Sequence, residues 1–86
     1  QNYPNPFNPV TTIRYSVTEP SYVQIRMYDS SGRFIRTLAN MDKSPGTYEL
    51  RWDGRDSRGS AVASGVYFCR VRSGQFEAAG KIAVVK

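Results

Sequence analysis

Apolar residues recur at every second position through several short stretches of this chain, and a period of two leaves little but β-structure open to it. In residues 12–17, Ile13, Tyr15 and Val17 fall on one face and Thr12, Arg14 and Ser16 on the other. In residues 22–28, Val23, Ile25 and Met27 point inward, while Tyr22, Arg26 and Tyr28 share the outward face. Residues 33–38 give a shorter strand anchored by Ile35 and Leu38, and one slip in its alternation predicts a bulge. Residues 47–53 alternate cleanly, with Tyr48, Leu50 and Trp52 inward. Residues 65–72 and 75–85 complete six strands, and a seventh is expected at Ala61-Val62-Ala63. Asp29-Ser30-Ser31-Gly32, Lys43-Ser44-Pro45-Gly46, the polar stretch 53–60 and Ser73-Gly74 supply the turns. No window of about 11 residues carries a helical stripe with start and stop signals. Short strands separated by turn clusters read as an all-β antiparallel sandwich.

The chain has 86 residues, which bounds it to one domain with a small core. Residues 1–9 stand apart. Asn2-Tyr3-Pro4-Asn5-Pro6-Phe7-Asn8-Pro9 fixes φ three times and removes three backbone donors, so an extended Pro/Asn-rich strap is expected there, leading into a domain at 10–86. The opening is not basic then greasy as a signal peptide is, and no apolar run approaches the ~20 residues of a membrane span.

The last hairpin can be placed in register. With Ser73-Gly74 as a two-residue loop, Arg70 lies opposite Glu77, Cys69 opposite Ala78 and Tyr67 opposite Gly80. Tyr67, Cys69, Val71, Phe76 and Ala78 then share a core face, and the Arg70–Glu77 pair contributes about 0.2–1 kcal/mol on the other. Beyond it, Ile82-Ala83-Val84-Val85 is apolar on both faces, as in a strand that is central or meets something outside the domain. Lys81 and Lys86 bracket that strand.

The residue inventory argues against catalysis and against a structural metal. There is no His, and the single Cys excludes an internal disulfide and a thiolate zinc cage. Asp53, Asp56, Gly54 and Gly59 resemble part of a calcium loop, but the two carboxylates are wrongly spaced and Arg55 and Arg58 intrude, so a turn is the better reading. Cys69 reads as a small buried hydrophobe. Tyr15, Tyr48, Trp52 and Tyr67 read as core rather than as a stacking platform. Tyr22, Arg26 and Tyr28 form an outward patch, with Arg stacked on Tyr as the simplest account and a binding surface as the alternative. The net charge of +5 permits an anionic partner without choosing one. No cofactor, metal, nucleic acid or small-molecule substrate is assigned.

The same residues carry a family resemblance. The opening Asn-Pro-Phe-Asn-Pro, then Thr11-Thr12-Ile13-Arg14-Tyr15, Tyr28-Asp29 with Gly32-Arg33 and Thr37-Leu38, Trp52-Asp53-Gly54 with Asp56 and Gly59, and Ala63-Ser64-Gly65-Val66-Tyr67-Phe68 resemble, in order, the C-terminal sorting domains of the type IX secretion system. Lys81 to Lys86 is similar to that family's terminal strand. The pattern is shared with the immunoglobulin-like domain of the flagellar hook-capping protein, so two families overlap here.

The sorting resemblance implies a seven-stranded immunoglobulin-like sandwich at the C-terminus of a larger secreted protein. It implies a role as an address that takes an N-terminal cargo domain through the periplasm to the surface or the medium, with the outer-membrane secretion machinery as partner. It carries recognition onto Gly65, Tyr67, Gly74, Lys81, Val84 and Lys86; Cys69 departs from the family's usual aromatic or aliphatic residue. On this reading Lys86 fits a native C-terminus and Gln1 a cut from a longer chain. The alternatives are an immunoglobulin-like spacer or docking module of a multidomain protein, or a carbohydrate-binding accessory module.

Overall fold

In the computed structural model, which describes residues 11–85, the period-two stretches form six strands and no helix. These are β1 (Thr11–Val17), β2 (Ser21–Asp29), β3 (Phe34–Lys43), β4 (Gly46–Trp52), β5 (Gly65–Ser73) and β6 (Phe76–Val84). They pair antiparallel in two sheets, β1-β4 and β3-β2-β5-β6. The expected strap at residues 1–9 and Lys86 lie outside the described residues.

The inward residues bury as their alternation requires. Val23, Ile25 and Met27 on β2 are fully buried, and Val17, Trp52, Tyr67 and Cys69 join them in one core. Ile13, Tyr15, Tyr48 and Leu50 line the half-buried inner face of the small sheet. Tyr15 and Tyr48 are Cα partners and stack with ring centroids 5.4 Å apart. Trp52 reaches across from the small sheet to meet Tyr67 of the large one edge-on, at 5.5 Å.

Turn chemistry decides where strands stop. Asp29 Oδ1 accepts hydrogen bonds from the Ser31 backbone N–H and hydroxyl and from the Arg33 N–H, closing the β2–β3 turn. Gly32 in that turn has φ of 89°, a conformation open to glycine. In the loop between β4 and β5, Asp56 Oδ1 does the same for the N–H groups of Arg58 and Ser60.

Four expectations need correction. Residues 61–63 are not a strand: Ala61 makes one isolated bridge to Arg55, and the Val62 N–H donates to the Gly54 carbonyl, so this backbone is spent within its own loop while Val62 plugs the core. β3 runs on to Lys43, and its pairing with β2 shifts register twice rather than once. The final hairpin turns at Gly74-Gln75, which puts Arg72 opposite Glu77, Cys69 opposite Gly80 and Tyr67 opposite Ile82. Gly74 at the first loop position has φ of 61°, as both primed hairpin turns demand. Lastly, Phe76 is 63% exposed and Ala78 is exposed, because a two-stranded sheet is too narrow to cover the β6 end of a four-stranded one. β6 is therefore an edge strand, and of the run 82–85 only Ile82 and Val84 turn inward.

Truncation at the inter-sheet contact should unfold the chain, whereas loss of an exposed ion pair should not. Trp52→Ala is expected to cost about 3–5 kcal/mol in urea melts. Arg14→Ala, which removes the exposed Arg14–Glu49 pair, is expected to cost under about 1 kcal/mol. Equal midpoints for the two variants would contradict this arrangement of strands.

Candidate functional site

The residues singled out for recognition do not converge. Gly65 and Val84 are Cα partners at one end of the last hairpin, and Gly74 sits in the turn at the other. Tyr67 and Val84 are core residues. The Tyr67 hydroxyl donates to the Ala63 carbonyl (2.6 Å), four residues upstream, a link of the kind immunoglobulin-like sandwiches use at a corner. Lys81 is exposed on the outer face of the large sheet opposite Phe68. These positions build the hairpin and its corner; they do not form a shared surface.

The acidic turns are likewise occupied. Asp53 Oδ1 accepts from the Arg55 N–H and from Arg36 Nη1. The Asp56 carboxyl is held below the usual range, first by the Ser60 N–H and then by that of Arg58. Asp29 is held low in the same way, by the Ser31 hydroxyl first and the Arg33 N–H second. Among the described residues no group of three or more His, Cys, Asp or Glu is placed to hold a metal ion. Burial pushes the Cys69 thiol up to about 11, which keeps it protonated at neutral pH.

The outer face of the large sheet is different. Because β2 and β5 pair antiparallel, their outward residues fall into cross-sheet rows. One row is aromatic: Phe34 on β3, Tyr28 on β2 and Phe68 on β5. Tyr28 and Phe34 meet edge-on at 5.9 Å. The next row sets Arg26 directly opposite Arg70, and the one after sets Gln24 opposite Arg72, with Glu77 beyond it on β6. Glu77 is the carboxylate here: Arg70 Nε donates to its Oε2, and Arg72 Nε lies 3.8 Å from the same oxygen. Arg26 lies over the Phe34 ring instead, 5.8 Å from its centroid. A small cavity of about 20 Å³ opens between Gln24, Arg26, Tyr28, Arg70 and Arg72.

The sequence pointed to Tyr22, Arg26 and Tyr28 as one outward patch, and the structure places them so. It missed that Phe68, Arg70 and Arg72 extend that patch. Alternation already turned those three outward; the absent information was that β5, some forty residues on, pairs with β2.

The model of the FlgD Ig-like domain family matches residues 9–75. The chain belongs to the FlgD Ig-like domain family. A solved structure with the same fold is that of FlgD from P. aeruginosa, with a TM-score of 0.69 at 19% identity, over 87% of this chain and 58% of that one. The chain thus spans somewhat over half of that FlgD chain. No curated protein matches it.

This overturns the sorting assignment. Of the two families that the sequence pattern joins, the FlgD Ig-like domain is the one that matches, and FlgD has a structure like this one. The expectation of a type IX secretion signal falls with it. So do the secreted or cell-surface destination as the tail of an exported cargo, and the outer-membrane secretion machinery as partner. The FlgD Ig-like domain family is a structural, non-enzymatic one.

Titration of the buried thiol has a readable sign. The folded-state pKa of Cys69 lies above its ordinary value of 9.0, so its contribution to stability is complete below about pH 9 and is lost as pH rises toward 11. Urea midpoints are expected to fall between pH 9 and pH 11, and by less in Cys69→Ala. In the opposite limb, carboxyl-carbon NMR titration is expected to give Asp29 and Asp56 midpoints below 3.8. The stability these two turns supply is present above that value and declines as pH falls through the folded-state midpoints. A midpoint at or above 3.8 for either would contradict the turn geometry.

Proposed function

We propose that the chain is a non-catalytic immunoglobulin-like docking module of a larger protein of the hook-capping type, and that it engages a protein partner through the outer face of its four-stranded sheet. Membership of the FlgD Ig-like domain family supports a structural role. The observation that carries the docking surface is the row Phe34–Tyr28–Phe68, which runs across three strands with Phe34 46% and Phe68 37% exposed. Tyr22 and Val66 are further exposed large side chains on that face. A sheet that served only as a spacer has no use for aromatic side chains in water. Arg and aromatic residues together are the composition of protein-interface centres.

The test is made in a flagellated host that carries the parent protein. Phe34→Ala with Phe68→Ala should leave the thermal melt of the chain nearly unchanged, because both rings are more than a third exposed. The same pair, placed in the parent, is expected to reduce the number of complete hooks seen by electron microscopy. Hooks of normal number and length in that strain would remove the docking surface. Normal hooks after deletion of residues 11–85 would remove the structural role as well.

A further inference from the structure

We propose that the outer face binds an acidic segment of its protein partner, whose carboxylates pair with Arg26, Arg70 and Arg72 while a neighbouring apolar side chain packs on Phe34 and Phe68. This rests on the docking reading above and names the chemistry of the partner.

The argument begins with charge placement. Arg26 and Arg70 are Cα partners, and like charges directly opposite one another in a sheet are destabilising. Arg72 is the next outward residue of β5 beyond Arg70. The three guanidiniums share one carboxylate, Glu77, and it is taken by Arg70 and Arg72. The nearest other acid at that end of β2, Asp29, is committed to its own turn. Arg26 has no ion pair among the described residues, and its Nε is buried without a hydrogen-bond partner. A donor left in that state within a cation cluster is a cost to the isolated chain. An incoming carboxylate removes it, because guanidinium presents a planar fork that takes both oxygens of one carboxylate.

The surroundings favour protein over nucleic acid. The arginines cluster around a single small cavity rather than tracking a groove as phosphate contacts do. Rings that could stack on bases are engaged: Tyr28 and Phe34 pack edge-on, and Arg26 covers the Phe34 face. What stays open is a cationic depression beside an aromatic row, which suits an extended segment carrying Asp or Glu next to an apolar residue.

The experiment uses the 86-residue chain and a 12-residue peptide of alternating Glu and Leu, with its Glu→Gln counterpart as reference. Fluorescence anisotropy is expected to show binding of the Glu peptide, weakened at least about tenfold for Arg26→Gln with Arg70→Gln and unchanged for Arg14→Gln, which alters an outward arginine on the other sheet. Thermal melts are expected to place Arg26→Gln at or above the parent chain. No binding of the Glu peptide, equal binding of the Gln peptide, or equal loss with Arg14→Gln would overturn the proposal. So would a lower melting temperature for Arg26→Gln, or tighter binding of a 20-nucleotide single-stranded DNA that depends on Arg26. Hook counts separate the two levels: if Phe34→Ala with Phe68→Ala reduces hooks while Arg26→Gln with Arg70→Gln does not, docking stands and the acidic partner falls.

Discussion

The edge-on contact between Trp52 and Tyr67 is what makes two sheets into one domain. Trp52 ends the small sheet and is 1% exposed; Tyr67 sits in the middle of the large sheet's inner face. Their polar ends are fastened to the same connecting loop, since the indole N–H donates to the Arg55 carbonyl (3.0 Å) and the phenol to the Ala63 carbonyl (2.6 Å). The loop between β4 and β5 is thus tied near its start and its finish by the rings it separates, and Val62 is drawn into the core between them. Two polar groups are buried with partners, so the large apolar areas of both rings can be used without a penalty for the heteroatoms.

The shape that follows sets the available surfaces. Two strands cover four, so the core concentrates on β2 and β5 and thins toward β6, where Phe76 and Ala78 stay in water. The inner face is consumed by folding. The outer face of β3-β2-β5-β6 has no layer over it among the described residues, and side chains there answer to other demands. Facing arginines and an aromatic row are poor choices for stability alone. Their cost is understandable on a surface that is completed by a partner.

Much of the fold was legible because side-chain period and turn chemistry are local. Val23, Ile25 and Met27 announce the buried face of β2, and Asp29 with Gly32 announces its end. The hairpin register was not determined by such signals. Moving the turn from Ser73-Gly74 to Gly74-Gln75 leaves every side chain on its own face and keeps Glu77 within reach of Arg70, so pattern and charge could not separate the two; the positive φ of Gly74 at the first loop position does. The seventh strand failed for a related reason: three small apolar residues read as a strand only if a sheet edge is there to receive them, and the loop used their backbone first. The candidate surface was half visible, on β2, and its β5 half depended on a non-local pairing. Function was least legible, because the motif blocks serve two families and record the shared fold rather than what either does with it.

The account stands on the β2–β5 pairing, which both buries the core and lines up the outer rows. Cross-strand nuclear Overhauser contacts in the labelled chain test it directly. Backbone contacts linking Arg26 to Arg70 and Tyr28 to Phe68, together with ring contacts between Trp52 and Tyr67, are the predicted result. Backbone contacts from Arg26 to Phe68 or Arg72 in place of Arg70, or the absence of ring contacts between Trp52 and Tyr67, would contradict it.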